Sequence, residues 1–202
     1  MTASKIRPHR RWFRFSIRTM LLLVTASGIW MGLQVHRAKR TRQALAELNR
    51  LEAHVFFEHE WDMSAYDIPS FKKASVAPGP QWLRRLVGDE YFLKVSGATV
   101  TRATDELQFL NSLPGLEALS IVKSAITDKA LERLESQSRL RYLWLDDTAV
   151  SDAGLPHLQN LKSLRFLYLR NTKVTSRGVK QLKQFLPDTR ITYGSYLGEQ
   201  SL

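Results

Sequence analysis

The part of this chain from Leu116 to Ile191 nearly repeats itself every 24 residues. Three segments begin at Leu116, Leu140 and Leu164 and align without a gap; they read LEALSIVKSAITD, LRYLWLDDTAVSD and LRFLYLRNTKVTS. An internal period of this length is typical of a solenoid, in which each unit buries its apolar face only against its neighbours. The repeat constrains the fold more than any other feature of the sequence.

Each unit divides into a predicted strand, a corner and a predicted helix. In the strands, apolar residues alternate at period two, as Leu143 and Leu145 do, and are predicted to point into the core. The corners carry hydroxyl residues that can bond backbone groups, namely Ser124, Thr148 and Thr172. Helix-capping residues follow in every unit: Thr127-Asp128, Ser151-Asp152 and Thr175-Ser176. The pattern predicts a helix after every strand.

Less regular units are predicted at both ends of the repeat region. Upstream, residues 93–100 fit one more strand if two residues are inserted before Asp105. Downstream, Ile191 and Tyr193 occupy the inward positions of a last strand, and residues 194–202 are predicted to form a C-terminal tail. Terminal units of a solenoid are expected to depart from the consensus because they cap the core.

The unit pattern L-x-x-L-x-L-x-x-[ST]-x-[IV]-[ST] resembles leucine-rich repeats, here of the T-[DS]-x-x-L-x-x-L type. The whole chain resembles a family of bacterial membrane-anchored leucine-rich-repeat proteins, in which a basic aromatic leader, one apolar segment, a helical neck and a Trp-Leu-Arg-Arg-Leu element precede a few repeats. The matching residues are 14–18, 20–35, 82–86 and 91–193. The resemblance implies a short leucine-rich-repeat α/β solenoid of about four β/α repeats with parallel strands, at 91–193. It implies no particular activity.

The positive charge of the chain is confined to its N-terminal part. The formal net charge is +11, and residues 1–50 carry 11 Lys and Arg against Glu47 alone. The other 152 residues hold 19 basic and 18 acidic residues (30 − 11 and 19 − 1), so the repeat region has no basic excess to bind nucleic acid. The chain has no cysteine, which excludes disulfides and thiolate chemistry.

A single transmembrane helix is predicted at residues 19–36, after a basic tail at 1–18. The 17 residues from Thr19 to Val35 carry no charge, and as a helix they span roughly 25 Å, a little less than the hydrocarbon core of a bilayer. Arg18 and Arg37 at the two ends can extend the span by snorkelling. The lipid bilayer is therefore one predicted partner.

Three alternatives to an anchor stay open at this point. A cleaved signal sequence has one candidate site at residues 26–28, but cleavage there would remove only half of the apolar run. Arg10 and Arg11 partly resemble a twin-arginine export pattern, and a buried soluble helix fits poorly with the basic flanks. The first flank lacks acidic residues, so we predict a single-pass protein with its N-terminus inside and its repeats outside. The family resemblance implies that the membrane is the bacterial cytoplasmic membrane.

Residues 37–90 are predicted to form a helical neck and an N-terminal cap. The helix continues from Arg37 to Glu52, His54–Phe57 forms a short strand, residues 63–80 form a loop, and Pro80 begins a short helix. One cluster in this region has metal-ligand chemistry: His54, Glu58, His59, Glu60 and Asp62. Its spacing matches no known ligand set, so neither a metal nor any other cofactor is predicted.

A candidate binding surface lies on the outward side of the predicted strands. The 24-residue period places Tyr142 beside Phe166, Trp144 beside Tyr168, and Asp146 beside Arg170. Aromatic rings beside a charged pair are typical of the energetic centre of a protein interface. We predict that these six residues bind a protein or peptide, the alternative being that the rings only pack against each other or under the cap.

No catalytic residues are predicted, and the protein is interpreted as a non-enzymatic binding module. His157 has no acid or nucleophile at a recognisable offset, and the carboxylates of Asp146 and Asp147 need not converge because side chains alternate along a strand. Two further hypotheses remain: a structural membrane protein that forms homo-oligomers through the neck helix and the aromatic surface, and a metal-dependent enzyme that uses Glu58, His59 and Glu60.

Overall fold

A computed structural model of the protein describes residues 17–57, 61–62, 70–71, 80–87, 94–101, 103–195 and 198–201. By its contacts the chain forms two units, Met1–His36 and Arg37–Leu202. One helix, α1 (Ile17–Arg50), belongs in part to each unit.

The first unit exposes an apolar helix. The large apolar side chains from Ile17 to Leu33 are between 56% and 78% exposed. The helix is long and apolar enough to cross a membrane, with a mean hydropathy of 1.3 over its most apolar window. A signal sequence near an N-terminus meets the same test, so the finding is compatible with the predicted anchor.

The neck part of α1 belongs to the second unit and closes one end of its core. Ala44 and Leu48 are buried in the same apolar cluster as the leucines of the repeats. Next comes strand β1 (His54–Phe57), which pairs antiparallel with β4 (Val95–Val100). The helix packs on the core at this end and the antiparallel strand extends the sheet there. The elements between them are β2 (Trp61–Asp62), β3 (Ser70–Phe71), which pairs with β2, and α2 (Gln81–Val87).

A single sheet runs through the repeats. After β4 come β5 (Ala118–Ile121), β6 (Tyr142–Trp144), β7 (Phe166–Arg170), β8 (Arg190–Ser195) and β9 (Gly198–Ser201). The strand order is β1-β4-β5-β6-β7-β8-β9, with parallel pairing from β4 to β8. The predicted α/β solenoid of parallel strands is confirmed.

The inward face of the sheet carries the core. Leu119, Leu143, Leu167 and Ile191 are paired in adjacent strands and are fully buried. Each unit buries its apolar side chain in this row only against the neighbouring units. Replacing one such buried leucine by alanine typically lowers the free energy of unfolding by about 2–5 kcal/mol. The predicted inward positions of the strands are confirmed.

The predicted hydroxyl corners bond the backbone as each strand ends. The Thr148 hydroxyl donates to the Leu145 carbonyl at 2.7 Å, and the Thr172 hydroxyl donates to the Leu169 carbonyl at 2.8 Å. The Ser124 hydroxyl lies 3.3 Å from a carbonyl oxygen of the preceding unit. The bonds of Thr148 and Thr172 are local, whereas that of Ser124 joins neighbouring units.

Two of the four units contain a 3₁₀ turn where a helix was predicted. Regular helices occur as α3 (Asp128–Leu134) and α4 (Ser176–Phe185), whereas Gln108–Ser112 and Leu155–Leu158 are 3₁₀ turns. In Leu155–Leu158, Pro156 stands at the start and lacks a backbone N–H. Gly154 before it has a poor helix propensity. The prediction of a helix in every unit was therefore wrong for these two.

The predicted C-terminal tail is also corrected. Residues 198–201 form β9, which pairs antiparallel with β8 from Thr192 to Ser195. Gly194 adopts a φ of 98° inside β8, a left-handed conformation that glycine tolerates best. The last parallel strand therefore has a hydrogen-bonded neighbour on both sides, which covers the edge that a tail would have left open.

Three aspartates tie each unit to the next. Asp105, Asp128 and Asp152 each accept two hydrogen bonds from the following unit, one from a backbone N–H and one from a hydroxyl, at 2.6–2.8 Å. The donors are Thr127, Ser151 and Thr175. Thr127 and Thr175 also cap α3 and α4, as predicted. We call these three pairs the carboxylate ladder.

The carboxylate ladder requires small residues in the unit that follows each aspartate. A Cβ atom added to Gly178 would overlap the Asp152 carboxylate, and one added to Gly154 would lie 2.5 Å from Asp128 Oδ1. In the unit before these, the same position holds Ala130, which is fully buried. The aspartate thus packs directly against the backbone of the next coil.

We expect Gly178→Ala to destabilise the protein although alanine is the better helix former. The new methyl group would displace the Asp152 carboxylate and break its two hydrogen bonds, at a cost of about 1–3 kcal/mol. In an Asp152→Ala background the same substitution should be neutral or stabilise by up to about 1 kcal/mol. Urea unfolding of the four proteins of this double-mutant cycle measures both effects, and equal effects in the two backgrounds would contradict the packing.

Candidate protein-binding surface

The parallel strands bring the predicted surface residues together as expected. The rings of Tyr142 and Phe166 stack with centroids 5.3 Å apart and an interplanar angle of 4°. The rings of Trp144 and Tyr168 stack at 5.7 Å and 2°. Tyr142 and Trp144 also stack at 5.9 Å, so the four rings form one continuous group. Parallel rings at these distances attract each other beyond the area they bury.

A charged pair lies beside these rings. The carboxylate of Asp146 accepts the backbone N–H of Arg170 at 2.7 Å and its guanidinium at 3.1 Å. The same guanidinium lies over the ring of Tyr168, 5.4 Å from its centroid. The predicted neighbours Asp146 and Arg170 therefore form a charge-assisted contact that fixes the edge of the aromatic group.

The six predicted residues differ in exposure, so only some of them belong to the accessible surface. Tyr142 is 2% exposed, Phe166 is 8% exposed and Asp146 is 6% exposed. Trp144, Tyr168 and Arg170 are half-buried. Tyr142 and Phe166 are therefore buried rings that pack against each other, as the alternative interpretation expects of the rings. We call this buried pair the aromatic base. The side chains that can reach a partner are the other three.

The half-buried rings belong to a row that crosses four strands. The pairing of β4, β5, β6 and β7 aligns Thr99, Ser120, Trp144 and Tyr168 side by side. All four side chains are partly exposed. We call this row the aromatic strip. Ser120 is the small neighbour of Trp144 on the side opposite Tyr168.

Two arginines that sequence reasoning missed cover the aromatic base. Arg141 lies over Tyr142, 5.8 Å from its centroid, and Arg190 lies over Phe166 at 5.5 Å. Cations over ring faces are attracted by the ring quadrupole. The signal was present in the sequence, since Arg141 precedes Tyr142 and Arg190 takes the strand position of Phe166 one unit later.

The two adjacent aspartates of the third unit do not form a carboxylate pair. Asp147 has a φ of 57° and accepts a hydrogen bond from the Asn171 side chain at 2.6 Å, whereas Asp146 faces Arg170. Lys123 and Asn171, one unit away on either side, also have positive φ, of 51° and 52°. These three corners therefore share a left-handed residue at the same position, and asparagine and aspartate suit it well.

The prediction for His157 is corrected by the neighbouring unit. Its Nδ1 lies 2.5 Å from a carboxylate oxygen of Glu135, which is 22 residues earlier in the chain. Sequence reasoning missed this acid because the two residues meet only when consecutive coils stack. The pair is partly exposed and lies outside the aromatic strip.

A groove of about 340 Å³ lies beside the turn of the third unit. It is lined by Leu155, Pro156, Leu182 and Phe185, with three glutamines around them. It arises because a four-residue turn stands next to the ten-residue helix α4.

The candidate metal cluster falls mainly outside the described residues. This applies to Glu58, His59 and Glu60, and to the side chain of Asp62, while His54 is exposed at the start of β1. Within the described ranges, no three His, Asp or Glu side chains are grouped closely enough to hold a metal ion.

Truncation of the buried and the half-buried rings should have different effects on stability. We expect Tyr142→Ala to cost about 3–5 kcal/mol, since it removes a buried ring from between its neighbours. Trp144→Ala should cost clearly less, because that ring already contacts water. Urea unfolding measures both changes, and equal losses would show that Trp144 is as much a part of the core as Tyr142.

No protein-family model matches the chain, and no curated protein matches it. Among solved structures, the chain is similar to internalin C2 from Listeria monocytogenes, with 25% identity over 47% of this chain and 38% of that one, at a TM-score of 0.35. The internalin inlF of the same organism matches with 27% identity over 52% of this chain and 27% of that one, at 0.34. The leucine-rich-repeat ectodomain of the receptor kinase SOBIR1 from Arabidopsis thaliana matches with 17% identity over 70% and 77%, at 0.36.

The matches cover 38% and 27% of the length of the two internalins. At these TM-scores they support no assignment of this chain to a family or a function. The fold rests on the chain itself: from β5 to β8, adjacent parallel strands pair residues 24 positions apart, as Tyr142 and Phe166 do. A stack of parallel strands and short helices with this period has the architecture of leucine-rich repeats.

Proposed function

We propose that this protein is a membrane-anchored, non-catalytic binding module that holds a protein or peptide on the aromatic strip. One observation carries the proposal: the Trp144 and Tyr168 rings are stacked, partly exposed and supported by a buried pair of rings. Partly exposed aromatic side chains grouped on one face commonly mark an interaction site.

The geometry favours binding because the anchors are already ordered. An exposed Trp or Tyr loses side-chain freedom when a partner immobilises it, which costs about 0.5–1.5 kcal/mol each. In this sheet the rings hold each other in one arrangement, and Arg170 lies over Tyr168. More of the contact energy is then available for affinity. Trp, Tyr and Arg are also the residue types that contribute most at protein interfaces.

The chemistry of the described repeats favours binding over catalysis. The carboxylates of Asp128 and Asp152 each hold two hydrogen bonds of the carboxylate ladder, and that of Asp146 holds Arg170. His157 pairs with Glu135, away from the aromatic strip. These groups support the structure of neighbouring coils, and a general acid or base would need a free proton-accepting site.

The double substitution Trp144→Ala with Tyr168→Ala should abolish partner binding without unfolding the protein. The matched control is Trp82→Ala, which removes a 68% exposed tryptophan from α2. We expect quantitative mass spectrometry of affinity captures from solubilised membranes to show partners retained by the wild type and the control and lost by the double variant. Equal capture by all three proteins, with unchanged unfolding curves, would refute a role for the strip.

We further propose that residues 19–36 span the membrane, with the N-terminus in the cytoplasm and the repeats outside. The support is the exposed apolar surface of α1 between Ile17 and Leu33 together with its basic flanks. Such a surface is costly in water and favourable in lipid.

Because the chain has no cysteine, single cysteines can report the topology. We expect a membrane-impermeant maleimide to label Arg177→Cys on intact spheroplasts and to label Ser4→Cys only after permeabilisation. Reversed labelling would contradict the orientation. Extraction by alkaline carbonate, or a mature N-terminus after Gly28, would contradict the anchor.

A further inference from the structure

Arg141 and Arg165 lie side by side at the edge where the parallel strands begin, and Arg190, which pairs with Phe166, lies diagonally from Arg165 on the next strand. The backbone N–H of Arg165 donates to the Arg141 carbonyl at 2.8 Å, and that of Arg190 donates to the Arg165 carbonyl at 2.7 Å. Adjacent strands are about 4.8 Å apart, so the three residues cross roughly 10 Å of the sheet. We call them the arginine row.

Like charges directly opposite each other on a sheet repel, so Arg141 and Arg165 have an electrostatic cost, to which Arg190 adds as their diagonal neighbour. Arg141 is partly compensated by Glu117, at 4.0 Å, and Arg190 lies over the ring of Phe166. Arg165 is exposed in the middle of the row. An anion placed along the row would relieve this repulsion, and more strongly where part of the site is shielded from water.

The arginine row is continuous with the aromatic group. Arg141 and Arg190 cover the rings of Tyr142 and Phe166, and those rings support Trp144 and Tyr168. A ligand on the aromatic strip would therefore lie within about three residues of the row along each strand, or roughly 10 Å.

We propose that the partner presents an acidic segment that contains an aromatic residue, with its carboxylates on the arginine row and its aromatic side chain on the Trp144 ring above Ser120. This inference rests on the proposed function and names the chemistry of the partner. Guanidinium groups bind carboxylates through two parallel hydrogen bonds. In an extended peptide, alternate side chains are about 6.6 Å apart, so two carboxylates fit along the three arginines.

A peptide fits this surface better than a nucleic acid does. Residues 51–202 hold 19 basic and 18 acidic residues (30 − 11 and 19 − 1), so the positive charge of the row is local. A nucleic-acid site requires a wider basic field that follows many phosphates. A mixed row of arginines and rings, a few residues wide, matches the length of a short peptide.

The test uses the full chain in detergent micelles and two fluorescent peptides, Glu-Glu-Trp-Glu-Glu and Gln-Gln-Trp-Gln-Gln. We expect fluorescence anisotropy to show binding of the acidic peptide at least about tenfold tighter than the neutral one. The variant Arg141→Gln with Arg165→Gln should lose about tenfold in affinity. The matched control, Arg177→Gln with Lys180→Gln, removes two exposed charges from α4 and should bind like the wild type.

Each outcome decides between the two proposals. Equal affinity for both peptides, or equal losses in the row variant and the control, would overturn the acidic partner. Tighter binding of a twelve-nucleotide oligothymidine than of the acidic peptide would overturn it as well. The single substitution Arg165→Gln changes an exposed side chain and keeps the contact of Arg141 with Tyr142. If it has no effect on acidic-peptide binding, the row does not contact the ligand. Loss of partner capture in the Trp144 and Tyr168 double variant would still support the proposed function in each of these cases.

Discussion

The hydrogen bonds of Asp105, Asp128 and Asp152 to the next coil fix the spacing on which the other contacts depend. Apolar burial stabilises a stack of coils, but it is not directional and tolerates small shifts between neighbouring rows of leucines. Each aspartate accepts two bonds at 2.6–2.8 Å from a single Thr or Ser, which only one placement of the next coil allows. The ring stacks on the sheet require that same placement, since a shift by one residue would turn their side chains into the core.

The carboxylate ladder also explains local departures from regular structure. Gly154 and Gly178 face the carboxylates of Asp128 and Asp152, and a Cβ atom at either glycine would overlap the carboxylate. Glycine weakens a helix by about 1 kcal/mol relative to alanine. In α4 the longer helix and the cap of Thr175 offset this cost. In the third unit, Gly154 is followed by Pro156, only a 3₁₀ turn forms, and the groove beside Phe185 results. Contact between coils thus takes precedence over local propensity.

The sequence predicted which residues of neighbouring repeats lie side by side. It was less informative about exposure, about contacts between coils and about the strand after the last repeat. The period alone placed Trp144 beside Tyr168 and Asp146 beside Arg170, because parallel strands in a solenoid pair residues one period apart. Exposure was not predictable in this way: Tyr142 and Trp144 are both outward, yet their exposure differs. Glu135, the partner of His157, was missed because the two residues meet only when consecutive coils stack. The carboxylate ladder was missed because helix capping already accounted for the residues that form it. Strand β9 follows no repeat pattern and gave no periodic signal.

The two ends of the sheet limit how this solenoid can associate. A parallel strand left at either edge would offer backbone groups in the spacing of the repeats to another copy of the chain. Here β1 and β9 run antiparallel to their neighbours. The ladder stops as well, because Ser176 occupies the position that Asp128 and Asp152 take in earlier units. A further coil placed after β9 would therefore meet neither a parallel edge strand nor an aspartate that accepts its hydrogen bonds. Extension of the stack is disfavoured at both ends, and among the features described the outward face of β4 to β7, with its rings and arginines, is better suited to recognition than the ends are.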